Sequence, residues 1–398
     1  MNTSDNLFYL RFPREDCEAL LAEGIADSYV VAAGEGVNWE ELDAWIKSSN
    51  EWIFGWVGYD VRRSIEAFAK EHLESSSFPQ LVLFRPINLF KIRNRSVEVL
   101  KGEWHPNLDE WLSMDPADDL PGVELTPTVS HDEYNRHIAE LKLQIAIGNV
   151  YELNYCMPFE GQAEWNNTAS IWKRIYGYTE APFSAYARWG NNTVMCASPE
   201  RYLKREGNRV VSQPIKGTAR RGESPEEDIR LKNELSLSRK ERAENVMIVD
   251  LVRNDLSQCA DRNSVCVEEL FGVHSFKTVH HLISTISCTV PSSIGWVDLI
   301  KTTFPMGSMT GAPKLSAMKL ISAHEKTERG IYSGSIGYIE PNGNFDFNVV
   351  IRSVQYDMLS GKVSCHVGGA ITALCNASDE YKECLLKAEA VLRALRNG

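Results

Sequence analysis

The order of apolar and polar positions divides the chain into many short strand-like runs and a few long helical ones. Trp52-Ile53-Phe54-Gly55-Trp56-Val57-Gly58-Tyr59 is apolar and broken by glycine, the pattern of a buried strand with close backbone neighbours. Leu81-Val82-Leu83-Phe84 predicts another strand, and Ser64 to Ala69 starts a helix. His131 to Ile147 has helical spacing, whereas Val150 to Phe159 alternates as a strand does. Val194 to Tyr202 and Arg209 to Ile215 each read as one strand, the second following a Glu206-Gly207-Asn208 turn. Ser224-Pro225-Glu226-Glu227 marks a helix start, with a capping serine, proline at the first position and glutamate three on. Helical character then extends, with room for a break, to Asn254.

A meander closes the chain. Tyr332 to Ile339, Phe345 to Val354 and Lys362 to Val367 are predicted strands, with turns at Pro341-Asn342-Gly343 and Ser360-Gly361. Asn376-Ala377-Ser378 leads into a last helix whose apolar stripe is Tyr381, Cys384, Leu385, Ala388, Val391, Leu392 and Leu395. Antiparallel strands mixed with long helices predict an α+β fold, not a doubly wound parallel sheet. The breaker-rich run Asp115-Pro116-Ala117-Asp118-Asp119-Leu120-Pro121-Gly122 sets a boundary between a mixed N-terminal unit, 1–120, that shares the sheet core and a main unit, 121–398.

Composition narrows the function classes. A chain of 398 residues, 43% hydrophobic, can bury a large core. It has no uncharged apolar stretch of membrane-spanning length and no basic-then-apolar leader, so neither a span nor a secretory signal is expected. Nine cysteines, an odd number with no C-x-x-C pair, fit reduced thiols in a cytoplasm and speak against zinc. The net charge of -12, with no basic stripe, makes nucleic acid an improbable partner. A small anionic substrate would need cations gathered in its pocket, or a metal.

The most informative stretch is Ser212-Gln213-Pro214-Ile215-Lys216-Gly217-Thr218, which sets a lysine between proline and glycine at the tip of a strand. If its amine is kept neutral, Lys216 is a nucleophile. Two helices carry Glu-x-x-Glu: Glu241 with Glu244, and Glu380 with Glu383. Glu380, Glu383 and Lys387 fall within about 60° of helical arc. A lone Glu-x-x-Glu is usually a solvated face. Glu244, however, precedes the apolar Val246-Met247-Ile248-Val249, and a carboxylate there needs a partner. Two facing pairs would make an all-oxygen site suited to magnesium.

Other features are open between function and structure. Gly307-Ser308-Met309-Thr310-Gly311-Ala312-Pro313-Lys314 leads into a helix and can receive an anion or simply pack tightly. Arg352, in the predicted strand Phe345 to Val354, needs an anionic partner, either a ligand or an internal acid such as Asp346. Gly368-Gly369-Ala370, at the end of the next strand, would let a ligand touch backbone. His280-His281 precedes an apolar run, where a core histidine is the commoner outcome.

In combination these segments resemble the chorismate-utilising enzymes. The likeness rests on Ala197-Ser198-Pro199-Glu200, Pro214-Ile215-Lys216-Gly217-Thr218, Arg242-Ala243-Glu244-Asn245 through Asp250-Leu251-Val252-Arg253-Asn254-Asp255, His281-Leu282-Ile283-Ser284, Phe304-Pro305 through Gly311-Ala312-Pro313-Lys314, and Gly334-Ser335-Ile336-Gly337-Tyr338. It is strong from about residue 125 onward and recurs at Gly55-Trp56-Val57-Gly58-Tyr59-Asp60. The resemblance implies largely antiparallel sheets packed as a sandwich, with helices on the outer faces.

Within the family the likeness is closest to the aminodeoxychorismate synthase branch, component I. Anthranilate synthases carry alanine in place of Lys216. Water-using isochorismate and salicylate synthases carry a base lysine in the strand that here reads Tyr151-Glu152-Leu153-Asn154. The resemblance therefore implies amination of chorismate through a Lys216 adduct, with ammonia supplied by a glutamine amidotransferase subunit. It implies Glu200 as general acid/base, and His281 and Ser308 lining the ring. Tyr332, Arg352, Lys387 and backbone at Gly368 and Gly369 would contact the carboxylates. Glu244 and Glu383 would ligate magnesium, with Glu241 and Glu380 assisting through water. A catalytically silent chorismate-binding regulator would have no need of this set together. The sequence departs from the family at Ala370, where glycine is usual, and at Thr372-Ala373-Leu374-Cys375-Asn376. It lacks the N-terminal Leu-Leu-Glu-Ser run tied to tryptophan feedback, so inhibition by tryptophan is not expected.

Overall fold

The computed structural model describes residues 6–66, 76–105, 108–113, 115–116 and 121–396. Among these, nineteen strands join in one hydrogen-bonded sheet system, and the pairings are antiparallel. With the long helices this is an α+β fold. N-terminal strands pair across the chain: Leu7–Arg11 with Phe183–Trp189, and Ile53–Val57 with Ser335–Ile339. Ser64 closes a short 3-10 helix, Tyr59–Ser64, and residues 67–69 of the predicted helix lie outside the described residues. So do residues 117–120 of the predicted connector. No helix among the described residues is long and apolar enough to cross a membrane. The nine cysteines are free, eight of them buried and Cys266 exposed.

Three helix starts are capped by serines, of which the sequence pattern marked Ser224. Ser130 accepts from the Glu133 amide and opens the helix His131–Ala146. Ser224 accepts from Glu227 and opens Pro225–Leu237. Ser238 both ends that helix and caps the next, Arg239–Ser257, by accepting from Glu241. Each such cap contributes about 1 kcal/mol. The third also fixes where Glu241 and Glu244 stand.

Several predicted strands are interrupted, and the interruptions matter. Val194 to Tyr202 is two strands, Asn192–Ser198 and Arg201–Glu206, with a corner at Pro199-Glu200. Arg209 to Ile215 ends at Gln213, and after Pro214 a new strand, Ile215–Arg220, begins. Proline has no N–H to give the ladder, so the strand breaks there, although the Pro214 carbonyl still accepts from Ser284 N at 3.2 Å. Phe345 to Val354 is likewise two strands, Phe345–Asn348 and Ser353–Asp357. Arg352 is therefore not inside a strand; it sits in the gap with φ +51°, a left-handed conformation that an arginine rarely adopts. The predicted Lys362 to Val367 strand runs on to Thr372, so Gly368, Gly369 and Ala370 lie within it rather than at its end.

Two helices bring the acidic pairs from different hydrophobic clusters. The helix Arg239–Ser257 packs Ile248, Val249, Val252 and Leu256 into one. The C-terminal helix Ala377–Arg396 packs Cys384, Ala388, Val391, Leu392 and Leu395 into another. Burying one such aliphatic side chain stabilises by about 1.5–3 kcal/mol, so each helix is held independently. Leu385, predicted in the apolar stripe, is instead partly exposed at the edge of that face.

Candidate active site

Lys216 stands in a β-bulge. Ile215 pairs with Ile283 and Thr218 with His281, so Lys216 and Gly217 together oppose Leu282 alone. Gly217 takes φ +99°, which only glycine adopts easily, and a Cβ there would approach Glu241 Oε2 to 3.0 Å. The bulge turns the Lys216 side chain inward, where only 11% of it is exposed.

Its amine lies 2.9 Å from Oε1 of Glu152, itself almost wholly buried. Glu152 is at the start of the strand Glu152–Gln162, held between Ala312 on one side and Thr372 on the other. Burial alone would drive the Lys216 amine neutral; Glu152, then Glu244 and Glu200, outweigh it, and the pKa is raised. The condition set for a nucleophile, a neutral amine, is therefore not met at rest: Lys216 is an ammonium paired with Glu152.

The corner at Pro199 delivers Glu200. Its N–H donates to Ser198 Oγ at 3.1 Å, and its carbonyl accepts from Val349 N at 3.0 Å. Its carboxyl is buried and accepts from the Ser308 hydroxyl at 2.7 Å. Burial pushes its pKa up to about 7, against the opposing pull of Ser308, Lys216, the Ile215 N–H and Arg352. A carboxyl that titrates near neutrality can donate or accept a proton there. Ser308 lies in the 3-10 turn Gly307–Met309, whose Met309 carbonyl accepts from buried Arg329 at 2.9 Å. Lys314, at the end of the glycine-rich run, points to Asp255 rather than to a ligand.

Arg352 donates toward His281 Nε2 at 3.5 Å, and its carbonyl accepts from Ala197 N beside the Glu200 corner. Asp346, the internal acid considered for it, is taken by Arg201 at 3.0 and 3.1 Å. Burial lowers the Arg352 pKa, with Glu200 opposing. His281 is pushed down to about 3 by burial and by Arg352, so its ring is neutral. With Nε2 accepting from Arg352, the proton belongs on Nδ1, 3.0 Å from Thr218 Oγ1.

The acidic helices meet beside this cluster. Lys240 lies 3.4 Å from Glu380 and 3.9 Å from Glu244. Lys387 lies 2.7 Å from Glu383 and donates to the Gly368 carbonyl at 3.0 Å. Burial pushes Glu244 up to about 7 and raises Glu241 and Glu380, whereas Lys387 outweighs burial and lowers Glu383. Glu244 Oε1 is buried without a hydrogen-bond partner. Among the described residues no three acidic, histidine or cysteine side chains yet close on one point. The donors are all oxygen, one is orphaned, and two lysines balance the charge; that chemistry fits a hard cation.

The glycines serve packing as well. A Cβ on Gly368 would lie 2.5 Å from Cys156 Sγ, and one on Gly369 3.1 Å from Glu380 Oε2. Tyr332 is buried, accepts from the Cys156 thiol at 3.8 Å and stacks on His366 with ring centres 5.3 Å apart. Sequence reasoning missed Glu152 as the partner of Lys216. Its signal was a lone carboxylate opening an otherwise apolar alternating run, a place where an acid must be paired.

A model of the family of chorismate binding enzymes matches residues 8–393. The chain belongs to that family. Among curated relatives, a probable chloroplastic aminodeoxychorismate synthase of Oryza sativa subsp. japonica is 42% identical over 264 residues, 66% of this chain and 29% of the rice protein. Aminodeoxychorismate synthase component 1 of Escherichia coli (strain K12) is 36% identical over 350 residues, 86% of this chain and 76% of its own length. The chain thus spans under a third of the rice relative and about three quarters of the bacterial one. The fold is that of anthranilate synthase component I from Streptococcus pneumoniae TIGR4, with a TM-score of 0.82 at 22% identity, covering 94% of this chain and 92% of that one.

Proposed function

We propose that this family member aminates chorismate at ring carbon four to give 4-amino-4-deoxychorismate, as a component I that receives ammonia from a glutamine amidotransferase subunit. The observation that carries this reading is Lys216, a buried primary amine in a bulge that faces three carboxylates, Glu152, Glu200 and Glu244. Names of relatives supply the reaction class; the cluster supplies the chemistry.

Lys216 Nζ attacks ring carbon two, both ring double bonds shift, and the C4–O bond breaks. Protonated Glu200 gives its proton to the departing hydroxyl, which leaves as water. Ammonia then attacks carbon four, both double bonds shift back, and the C2–Nζ bond breaks. Two displacements replace one difficult exchange of hydroxide for amine. Arg352, Lys387 and the Tyr332 hydroxyl hold the substrate's carboxylates, and neutral His281 keeps Arg352 in place. Glu241, Glu244, Glu380 and Glu383 would hold magnesium, which when bound supplies positive charge to the ring carboxylate.

Intact-mass analysis tests the covalent step. Protein mixed with chorismate and magnesium, without ammonia, should gain the mass of chorismate less one water. An unmodified mass, with Lys216→Ala still active, would refute it. With ammonium as donor, a product that keeps its pyruvyl group separates this reading from an anthranilate synthase. Glutamine-dependent turnover with the host's amidotransferase checks the partner, and failure of both pull-down and coupled assay removes it.

A further inference from the structure

We infer that Glu152 is a catalytic residue: it takes the proton from the Lys216 ammonium as the lysine attacks, and returns it when the lysine departs. This rests on the covalent reading above. An ammonium has no lone pair to donate, so Lys216 in its ion pair with Glu152 must lose a proton before any C–N bond forms. A near acceptor is favoured, since Glu152 is almost wholly buried and only 11% of the Lys216 side chain is exposed. Glu152 Oε1 is 2.9 Å from Nζ, and its Oε2 is buried with no hydrogen-bond partner.

The other acids around the amine are committed elsewhere. Glu200 is engaged by Ser308 and must arrive protonated to release the hydroxyl. Glu244 and Glu241, from the helix Arg239–Ser257, and Glu383, from the C-terminal helix, belong to the acidic cluster, while Arg352 and His281 face the site as a cation and a neutral ring. Among the described residues, neither Glu152 nor Lys216 is hydrogen-bonded or ion-paired to the four carboxylates of the acidic helices. Glu152 is also well held, with strand neighbours on both sides.

The protons balance. Lys216 gives one proton to Glu152 and forms the N–C2 bond as a secondary ammonium, while Glu200 gives one to the hydroxyl, which leaves as water. Ammonia adds at carbon four, Lys216 leaves as a neutral amine and recovers its proton from Glu152. Glu200 is reprotonated by the new C4 ammonium. The sum is chorismate plus ammonia to aminated product plus water.

Replacing the carboxylate removes a counter-charge as well as a base, so Glu152→Gln lets Lys216 lose its proton to solvent at lower pH. Speed at one pH is therefore ambiguous, and the shape of the pH profile decides. Adduct formation without ammonia should be followed by intact mass from acid to alkaline pH in the parent, Glu152→Gln and Glu152→Asp. The parent should show only the falling limb of Glu200. Glu152→Gln should gain a rising limb, about tenfold per pH unit, and Glu152→Asp should not. Acetylation of Lys216 by acetic anhydride in the substrate-free proteins, read by peptide mass, should place its midpoint at least one pH unit lower in Glu152→Gln, at the position of the new limb. Superimposable profiles, or an unmoved acetylation midpoint, would overturn the role of Glu152 while leaving the covalent step standing. A parent that forms no adduct would overturn both.

Discussion

Ser308 donates its hydroxyl to Oε1 of Glu200 over 2.7 Å, inside a pocket where both side chains are buried. That bond favours the ionised carboxylate and holds its titration near pH 7 when burial would carry it higher. The acid form is needed to release the hydroxyl, so kcat/KM should fall above about pH 7. Ser308→Ala removes a hydrogen bond to the charged form and should move the falling limb about one unit toward alkaline pH. A kcat/KM profile whose limb stays in place would dissociate Ser308 from the tuning of Glu200.

The Lys216–Glu152 pair makes its own prediction for stability. Lys216→Met leaves a buried carboxylate without its cation, at a cost of roughly 3 kcal/mol. The double variant Lys216→Met with Glu152→Gln removes both charges and should recover most of that loss. Denaturant unfolding of the two variants at pH 8 checks it; equal midpoints would mean that the pair is not coupled.

Glu244 should trade stability for function. Its pKa is raised to about 7, so in the folded, metal-free protein it holds its proton at pH values where the unfolded chain has lost it. The cost of ionising it is absent below about pH 4.5 and full above pH 7. Glu244→Gln should therefore stabilise the chelator-treated protein by on the order of 2 kcal/mol at pH 8, and not at pH 4.5. The same variant should lose magnesium-dependent turnover. Thermal midpoints in chelator and activity against magnesium concentration measure the two effects separately.

Gly368 has no space for a methyl group, because Cys156 Sγ would lie 2.5 Å away and the Tyr155 carbonyl 3.0 Å. Gly368→Ala should destabilise by about 1–3 kcal/mol through overpacking. Adding Cys156→Ala should return part of it, since the thiol is the nearer obstacle. A double variant no better than the single would put the strain on the backbone contact instead.

The fold class and the acidic helices were legible because caps and periodicity are local. Ser224 caps as its surroundings predict, and Glu380, Glu383 and Lys387 share one arc of the last helix by spacing alone, whereas the second cap at Ser238 divides a stretch that reads as one helical region. The interruptions were not legible. Apolar alternation continues through Pro199-Glu200 and through Val349 to Arg352, so each pair of strands reads as one until tertiary pairing splits it. Those gaps hold Glu200 and Arg352. The charge of Lys216 was also out of reach, because the decisive neighbour, Glu152, comes from a strand remote in sequence. Residue identity told which groups react; only their company in space tells which protons they carry.

The two-against-one pairing at Lys216 and Gly217 opposite Leu282 gives this scaffold latitude to change trades. A residue with no counterpart on the facing strand is excused from the ladder's demands. Its side chain can be exchanged by mutation while Ile215 and Thr218 keep their places on either side. New reactivity can thus be tried at a single codon without shifting the strand register, provided Glu152 is answered in the same step, while Gly217, locked by its backbone angle and by the nearby carboxylate, is the position least open to exchange.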